Sequence, residues 1–513
     1  MSEGDRMDER KPQRAIEALR QFLETPLDRL LGGSSGADPA AQALSLFREM
    51  AARVPAYGRF LAEQGIDPAS IREPDDFARL PLTDKANYLL RHPLADLCRD
   101  GRLESCDMMA VSSGSTGKPT FWPRFVSDEL GTAARFEQAF HDSFAADRRR
   151  TLAVVCFALG TWVGGLFTTA CCRHLAAKGY PIMVVAPGNN KTEIWRVVRE
   201  LAPQFEQTVL LGYPPFLKDV IDGGIAEGID WRPFGVKLVM AGEVFSEEWR
   251  DLVGERAGIA EPAFGSVALY GTADAGVLGN ETPLSITIRR HLGQDPEAAR
   301  ALFGESRLPT LVQYDPRARY FETRDGTLLF SGSNGVPLLR YHIADKGGIV
   351  PYDAMLRFLA ERGFDPVAAL ARERGTATPP GRGLRSLPFV YVFGRSNFTV
   401  SYFGANIYPE NVTVGLEQPP IAGWVTGKFV LQAVEGLDQA PHLAIAVELA
   451  PGIAAEDAKR DAIAQSILAQ LLRLNSEFQA YTPPEYRLPR VTLKPTGDPD
   501  WFPVGVKHRY TRK

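Results

Sequence analysis

Ser112-Ser113-Gly114-Ser115-Thr116-Gly117-Lys118-Pro119-Thr120 sets five hydroxyls, two glycines and one ammonium within nine residues. Glycine lets a backbone approach an anion closely, and consecutive amides with hydroxyl donors can surround phosphate oxygens. Lys118 adds a compact positive charge. By composition alone the run fits either an anion cradle or a flexible connection. It is not a Walker A loop. That motif needs a glycine five residues before Gly117, where this chain has Ser112, and a helix that runs on through the lysine. Pro119 instead follows Lys118 directly, removes an amide and disfavours the helical region at Lys118 itself. The spacing predicts an open, extended loop and argues against the fold of the P-loop kinases and GTPases.

Downstream of this loop, short β-rich runs alternate with helical patterns. Strands are expected at Leu152–Phe157, Ile182–Ala186, Thr208–Leu211, Lys237–Met240 and Val267–Tyr270. Helices are expected between them at Thr192–Leu201, Pro214–Ile225 and Ser246–Arg256. That alternation predicts an α/β layer with a largely parallel sheet. Upstream, apolar residues recur at helical spacing from Ala15 to about Leu61, broken at Gly32-Gly33-Ser34-Ser35-Gly36, which predicts a helical N-terminal cap. Residues 1–13 are charged and are expected to be disordered.

Between Lys346 and Leu387 the pattern is irregular. Met355–Arg362 and Pro366–Arg374 look helical, Thr376–Gly381 reads as a breaker, and no function can be read from the segment. The tail returns to an α+β pattern, with strands at Phe429–Val434, His442–Leu449 and Arg487–Lys494 and a helix at Ala455–Leu474.

A chain of 513 residues exceeds what one core usually supports, so at least two domains are expected. With 45% hydrophobic and 23% charged residues the composition is that of an ordinary globular protein. A net charge of −4 gives no electrostatic reason to expect nucleic acid or an anionic membrane as partner. Five cysteines (Cys98, Cys106, Cys156, Cys171, Cys172) contain no CxxC pair, and three sit among apolar residues, so small buried hydrophobes are expected rather than disulfides or a zinc site. The polar N-terminus lacks the apolar core of a signal peptide, and no apolar run is long enough to span a membrane. A cytoplasmic enzyme is the simplest expectation.

Other stretches join the loop in a fixed order. They are Leu80-Pro81-Leu82-Thr83-Asp84-Lys85 with Pro93-Leu94, then Ala241-Gly242-Glu243, then Tyr270-Gly271-Thr272-Ala273-Asp274. Arg340-Tyr341-His342-Ile343-Ala344-Asp345 and the long run from Gly394 to Pro409 complete the set. Spanning roughly residues 75 to 412, these motifs resemble those of the adenylate-forming enzymes, and within them the phenylacetate–CoA ligase-like branch. The resemblance implies a large multi-layer N-terminal α/β domain with mostly parallel sheets and a small mobile α+β C-terminal domain. On this chain that divides into a helical region 1–75, an ATP- and acid-binding core 76–395 and a lid 396–513.

The activity implied is ATP-dependent conversion of a carboxylic acid to acyl-AMP with release of pyrophosphate, followed by thioester formation with coenzyme A. ATP and Mg2+ are the implied cofactors and CoA the co-substrate. Such chemistry needs donors and cations aimed at the phosphorus under attack. The resemblance assigns Ser112, Ser113, Gly114, Ser115, Thr116, Gly117 and Lys118 to the triphosphate, with Thr116 donating to its oxygens and Lys118 balancing the departing pyrophosphate. Gly242, Glu243, Tyr270, Gly271 and Thr272 fall to the adenine side, Asp345 to the ribose hydroxyls and Arg395 to the nucleotide. Read alone, Tyr270 fits a core tyrosine before a turn better than an adenine contact, and Asp345 a cap or solvated turn residue better than a ribose contact.

Asp274 takes the magnesium position, one methylene shorter than the family's usual glutamate, and Ala273 replaces a serine or threonine. Asn397 stands at the hinge in place of aspartate, with Phe398 beside it. Near the C-terminus, Val506 falls where the family has a catalytic lysine, and Lys507 is displaced by one. Trp162, Gly164, Phe167 and Tyr213 lie where the family lines its acid pocket and suit a flat or aromatic acid, though core packing would use the same residues. Two other readings stay open. One keeps adenylation but passes the acyl group to a carrier-protein thiol, an amine or a protein side chain. The other is a degenerate nucleotide-binding protein, prompted by Ala273, Asp274, Asn397 and Val506. The resemblance also allows a homodimer, for which the sequence offers no amphipathic seam.

Overall fold

The computed structural model describes residues 10–32, 38–112, 120–305, 307–373, 382–395, 400–403, 405–435, 441–475, 478–479, 482–503, 508 and 510–511. The nine-residue run lies in a hairpin, with β1 (Met108–Ser112) antiparallel to β2 (Thr120–Arg124) and Ser112 opposite Thr120. Beyond it the chain builds β3 (Thr151–Val155), β4 (Ile182–Val185), β5 (Gln207–Gly212), β6 (Lys237–Ala241) and β7 (Ser266–Thr272). These pair in parallel in the order β4-β3-β5-β6-β7, within a residue or two of the runs expected from the sequence. Alternate residues point to opposite faces of a strand. Leu152, Val154, Leu210, Leu238 and Met240 enter one core, while Ala153, Val155, Val209, Leu211 and Val239 enter another. Both faces of this half are therefore covered, as parallel sheets require.

The sheet does not stop at β7. It continues through β8 (Gly276–Asn280), β9 (Thr310–Gln313), β10 (Tyr320–Arg324), β11 (Thr327–Gly332), β12 (Leu338–Val350) and β13 (Phe389–Arg395), all antiparallel, in the order β8-β9-β13-β12-β11-β10. The mostly parallel sheet expected from the sequence is thus one mixed sheet, parallel only up to β7. The two halves meet where β7 turns back into β8. Buried Gln313 helps hold the far strands there, accepting from Thr282 Oγ1 at 2.7 Å and donating to Leu387 O at 2.8 Å.

The N-terminal helices Pro39–Arg53 and Pro55–Glu63 pack into the same core as Leu339 and Tyr341 of β12. Helix Arg10–Glu24 begins before residue 13, so the disorder expected to that point does not extend over residues 10–13. Helices Tyr352–Ala360 and Pro366–Glu373 bring Met355, Leu359 and Leu370 into a core with Leu284, Ile288, Phe303 and Phe389. The segment whose function could not be read covers the back of the antiparallel half. The expected breaker at Thr376–Gly381 lies outside the described residues.

After β13 come the short pair β14 (Val400–Tyr402) and β15 (Ala405–Ile407), then β16 (Val425–Glu435), β17 (Pro441–Leu449) and β18 (Arg490–Lys494). These strands share a core with helix Asp457–Leu474 that draws only on residues after 399. All five cysteines are free, four of them fully buried. Among the described residues no helix is long and apolar enough to cross a membrane.

Candidate functional site

Residues 113–119, with Ser113, Gly114, Ser115, Thr116, Gly117 and Lys118, lie outside the described residues, as do Asn397 and Lys507. The roots of the loop are described. On one side Val111 N donates to Thr161 O at 2.9 Å and Val111 bridges Trp162, so Trp162 stands beside the loop's first strand. On the other, Arg124 closes β2 and is 1% exposed. Its Nη2 donates to Asp274 O at 2.9 Å and to Ala273 O. A second, half-buried guanidinium, Arg319, donates from Nη2 to Ala275 O at 2.8 Å. Two arginines thus hold three consecutive carbonyls of the turn that carries Asp274. Burial pulls both guanidinium pKa values down, Arg319 to about 10, while the facing Asp128 carboxylate opposes the shift. The hairpin packs hard against the chain at Gly335, where a Cβ would lie 2.1 Å from Pro123 O.

Asp274 and Asp345 are each 5% exposed. Tyr341 Oη donates to Asp274 Oδ2 at 2.6 Å, and Tyr270 Oη donates to Asp345 Oδ2 at 2.8 Å. The pairing is crossed. Tyr270 on β7 serves the acid of β12, and Tyr341 on β12 serves the acid that follows β7. Hydrogen bonds to a carboxylate are about twice as strong as neutral ones, and here they fix two acids that would otherwise be costly to bury.

The local backbone makes this arrangement possible. β12 carries two non-glycine residues in the left-handed region, Arg340 (φ 47°) and Ala344 (φ 61°), and shifts register after Lys346. Such strain persists only where the surroundings over-determine it. Here Arg340 donates to Phe77 O, Leu80 O and Glu322 Oε2. Thr83 bridges Tyr341, its Oγ1 donating to Leu339 O at 2.8 Å. The Leu80–Lys85 motif is therefore the seat on which the Arg340–Asp345 motif rests. Asp345 lies opposite Arg395 in the β12–β13 register, which sets these two predicted residues side by side through their backbones.

Among the residues expected to face adenine, Gly242 adopts φ +86°, and a Cβ there would meet the Tyr213 ring at 2.8 Å. A Cβ at Gly271 would lie 2.6 Å from Gly276 O. Both glycines are required by packing within the protein. Thr272 Oγ1 accepts from Ala275 N at 3.1 Å and braces the same turn. Tyr213 stands edge-on to Phe157 with centroids 4.9 Å apart, and Gly164 lies under both rings. Of the four predicted pocket residues, Gly164 and Tyr213 come together. Trp162 is 38% exposed at the root of the hairpin, and Phe167 is buried in the core that holds Tyr270.

Glu243 accepts from Tyr510 Oη, a residue of the C-terminal tail. Further bonds join the small domain to the large one. Lys218 Nζ donates to Val425 O at 3.1 Å, Arg307 Nη1 to Glu410 Oε2 at 2.9 Å, and Ser246 to Glu417 Oε2 through both Oγ and N. Burial pushes the Glu417 carboxyl up to about 8, against the pull of its bonds to Ser246. His508 Nε2 meets Phe429 O at 2.6 Å, and burial lowers its pKa to about 4, so the ring is neutral and donates.

No group of three or more His, Cys, Asp or Glu residues able to hold a metal occurs among the described residues. Magnesium does not demand one, since it keeps several waters and takes one or two carboxylates beside substrate phosphates. Asp274 fits that demand. Tyr341 occupies Oδ2, and among the described residues nothing hydrogen-bonds to Oδ1.

Sequence reasoning missed Tyr341, Arg124, Arg319 and Tyr510. Tyr341 lay inside a quoted motif, and its alternation with Asp345 along β12 was the available signal. Nothing marks Arg124, Arg319 or Tyr510 in one dimension.

No family model matches the chain. A phenylacetate–coenzyme A ligase of Thermus thermophilus is 27% identical over 296 residues, covering 57% of this chain and 61% of that protein. The match thus spans less than two thirds of that curated relative's length. A 2-hydroxyisobutyryl-CoA ligase, solved in the postadenylation state with R3-HIB-AMP, superposes with a TM-score of 0.63 at 16% identity, covering 93% of this chain and 88% of its own. The same ligase in an open conformation with 2-HIB-AMP and CoA gives 0.52 at 16% identity, with 93% and 90% covered. The fold is shared along nearly the whole chain.

Proposed function

The chain has the fold of the adenylate-forming superfamily and a sequence likeness to its phenylacetate–CoA ligase branch, and from that premise we propose that it activates a carboxylic acid with ATP and transfers the acyl group to coenzyme A. In the first step a carboxylate oxygen attacks the α-phosphorus, the bond to the bridging oxygen breaks, and acyl-AMP and pyrophosphate form. In the second the CoA thiolate attacks the acyl carbon and AMP leaves.

The observation that carries the reading is the crossed pair of buried acids beside the hairpin. One acid, Asp345, is suited to accept from ribose hydroxyls. The other, Asp274, keeps Oδ1 for a magnesium ion, which when bound with ATP neutralises phosphate charge. Arg124 and Arg319 hold the Asp274 turn through the carbonyls of Ala273, Asp274 and Ala275. Thr116 and Lys118 would meet the triphosphate from the loop, Arg395 the nucleotide, and Lys507 the reacting centre from the tail. The Gly164–Phe157–Tyr213 corner suits a flat or aromatic acid. Five unpaired cysteines suit a reducing compartment such as the cytoplasm.

The test is pyrophosphate–ATP exchange stimulated by a panel of aromatic and aliphatic acids, followed by addition of free CoA. Acid-dependent exchange with thioester formation is expected. Nucleotide binding without exchange for any acid would overturn the reading, and exchange without transfer to CoA would overturn its second half.

A further inference from the structure

We propose that Tyr510 is a positioning residue that latches the small domain in its adenylating orientation by bonding Glu243. The proposal rests on the adenylation reading above and assigns a role to a residue that the sequence motifs leave unmarked.

Three observations carry it. First, the bond crosses between domains. Tyr510 belongs to the C-terminal tail, and Glu243 follows Gly242, whose backbone lies against the Tyr213 ring. Second, Tyr510 and Thr511 pack onto the small domain. Leu431 N donates to Tyr510 O at 2.7 Å, and Thr511 bridges Leu431, so the tail pairs along β16. The Tyr510 ring packs on Phe429 with centroids 5.0 Å apart and edge-on to His508 at 4.5 Å. The hydroxyl therefore cannot follow Glu243 if the domain turns, so the bond exists in one orientation only. Third, the donor is fixed. Burial and the neighbouring Glu243 hold the phenol proton far above the ordinary tyrosine range, so it remains a donor to the carboxylate at any working pH.

Tyr510, three positions after Lys507 in the sequence, is thereby tied to Glu243. Its bond to Glu243 is a differential contact of the kind needed to bias a two-state equilibrium. Lys218–Val425, Ser246–Glu417 and Arg307–Glu410 hold the same interface, but none of them lies on the tail.

The experiment compares the full-length protein with Tyr510→Phe, which removes one hydroxyl and keeps the packed ring. Fluorophores at Glu200→Cys and Asp457→Cys, both on exposed helix faces of the two domains, read the orientation by energy transfer without any turnover. Tyr510→Phe is expected to move molecules out of the high-population state seen in the parent. The half-reactions are expected to split. Acid-dependent pyrophosphate exchange falls about tenfold, the effect of one charge-assisted hydrogen bond, while conversion of supplied acyl-AMP and CoA to thioester is unchanged or faster. Glu243→Gln, which keeps an acceptor but loses its charge, should give a smaller shift in the same direction. Unchanged energy transfer in Tyr510→Phe, or an equal fall in both half-reactions, would overturn the latch. A shifted energy transfer in a protein whose parent shows no exchange would keep the latch and sink the adenylation reading instead.

Discussion

The two halves of the central sheet obey different rules. In the parallel half every residue of β3 and β5 is buried, and no residue of β3 to β7 has a positive φ. In the antiparallel half β12 runs from a buried start into half-buried positions at His342–Ala344, carries two left-handed residues and shifts register against both neighbours. The first half is uniform because, short of the end of β7, its strands bury apolar surface on two faces. The second departs from regularity where the two acids and their tyrosines must converge. They do so at the end of β7, where the parallel half gives way. Ligands in open α/β sheets commonly bind at the carboxyl ends of strands, and this site obeys that rule from one side only.

If the halves differ in this way, damage to each should read out differently. Leu210→Ala removes a fully buried side chain from β5. It should cost about 2–5 kcal/mol of stability while leaving turnover per folded molecule unchanged. Chemical denaturation beside active-site titration would measure both, and a large loss of turnover would break the comparison.

Asp274→Asn keeps an acceptor for Tyr341 but removes the charge. Acid-dependent exchange should fall about a hundredfold, with a raised magnesium requirement and an unfolding midpoint close to the parent's. An unaltered metal titration would take the magnesium role from Asp274. Tyr341→Phe is the milder version. It deletes one bond to a carboxylate, worth about 1.5 kcal/mol, so activity should drop about tenfold. Equal metal dependence in this variant and the parent would show that the tyrosine does not act through Asp274.

The smallest effect belongs to the domain interface. Glu417 has an ordinary value of 4.5 and is raised to about 8 in the folded protein. Between those values the folded state binds the extra proton, so stability is full below about 4.5 and declines as pH rises through 8. Glu417→Gln should flatten that slope. Denaturation midpoints across this range would reveal it, and an unchanged slope would remove Glu417 from the account.

The same contrast explains what could be read in one dimension. The continuous apolar run at Thr208–Leu211 announced a strand, and β5 extends it by one residue at either end. β12 was not delimited in advance, because its bulges and left-handed residues break the period-two signal on which such readings rest. Among candidate site residues, Asp274, Asp345 and Tyr270 were named through the order of their motifs. Their convergence could not be read, since Tyr341 lies 67 positions from Asp274. Arg124 was invisible for another reason. A lone arginine ordinarily signals a solvated surface, and only the fold reveals that two backbone carbonyls wait for it.

The exchange of partners between β7 and β12 has a consequence for how such a site can change over generations. Each strand lends a phenol to the other's acid, so sliding one strand to suit a new ligand would uncouple both pairs at once. Innovation in what this scaffold accepts should therefore accumulate around the Gly164–Tyr213 corner, leaving the interlocked quartet inherited as a block.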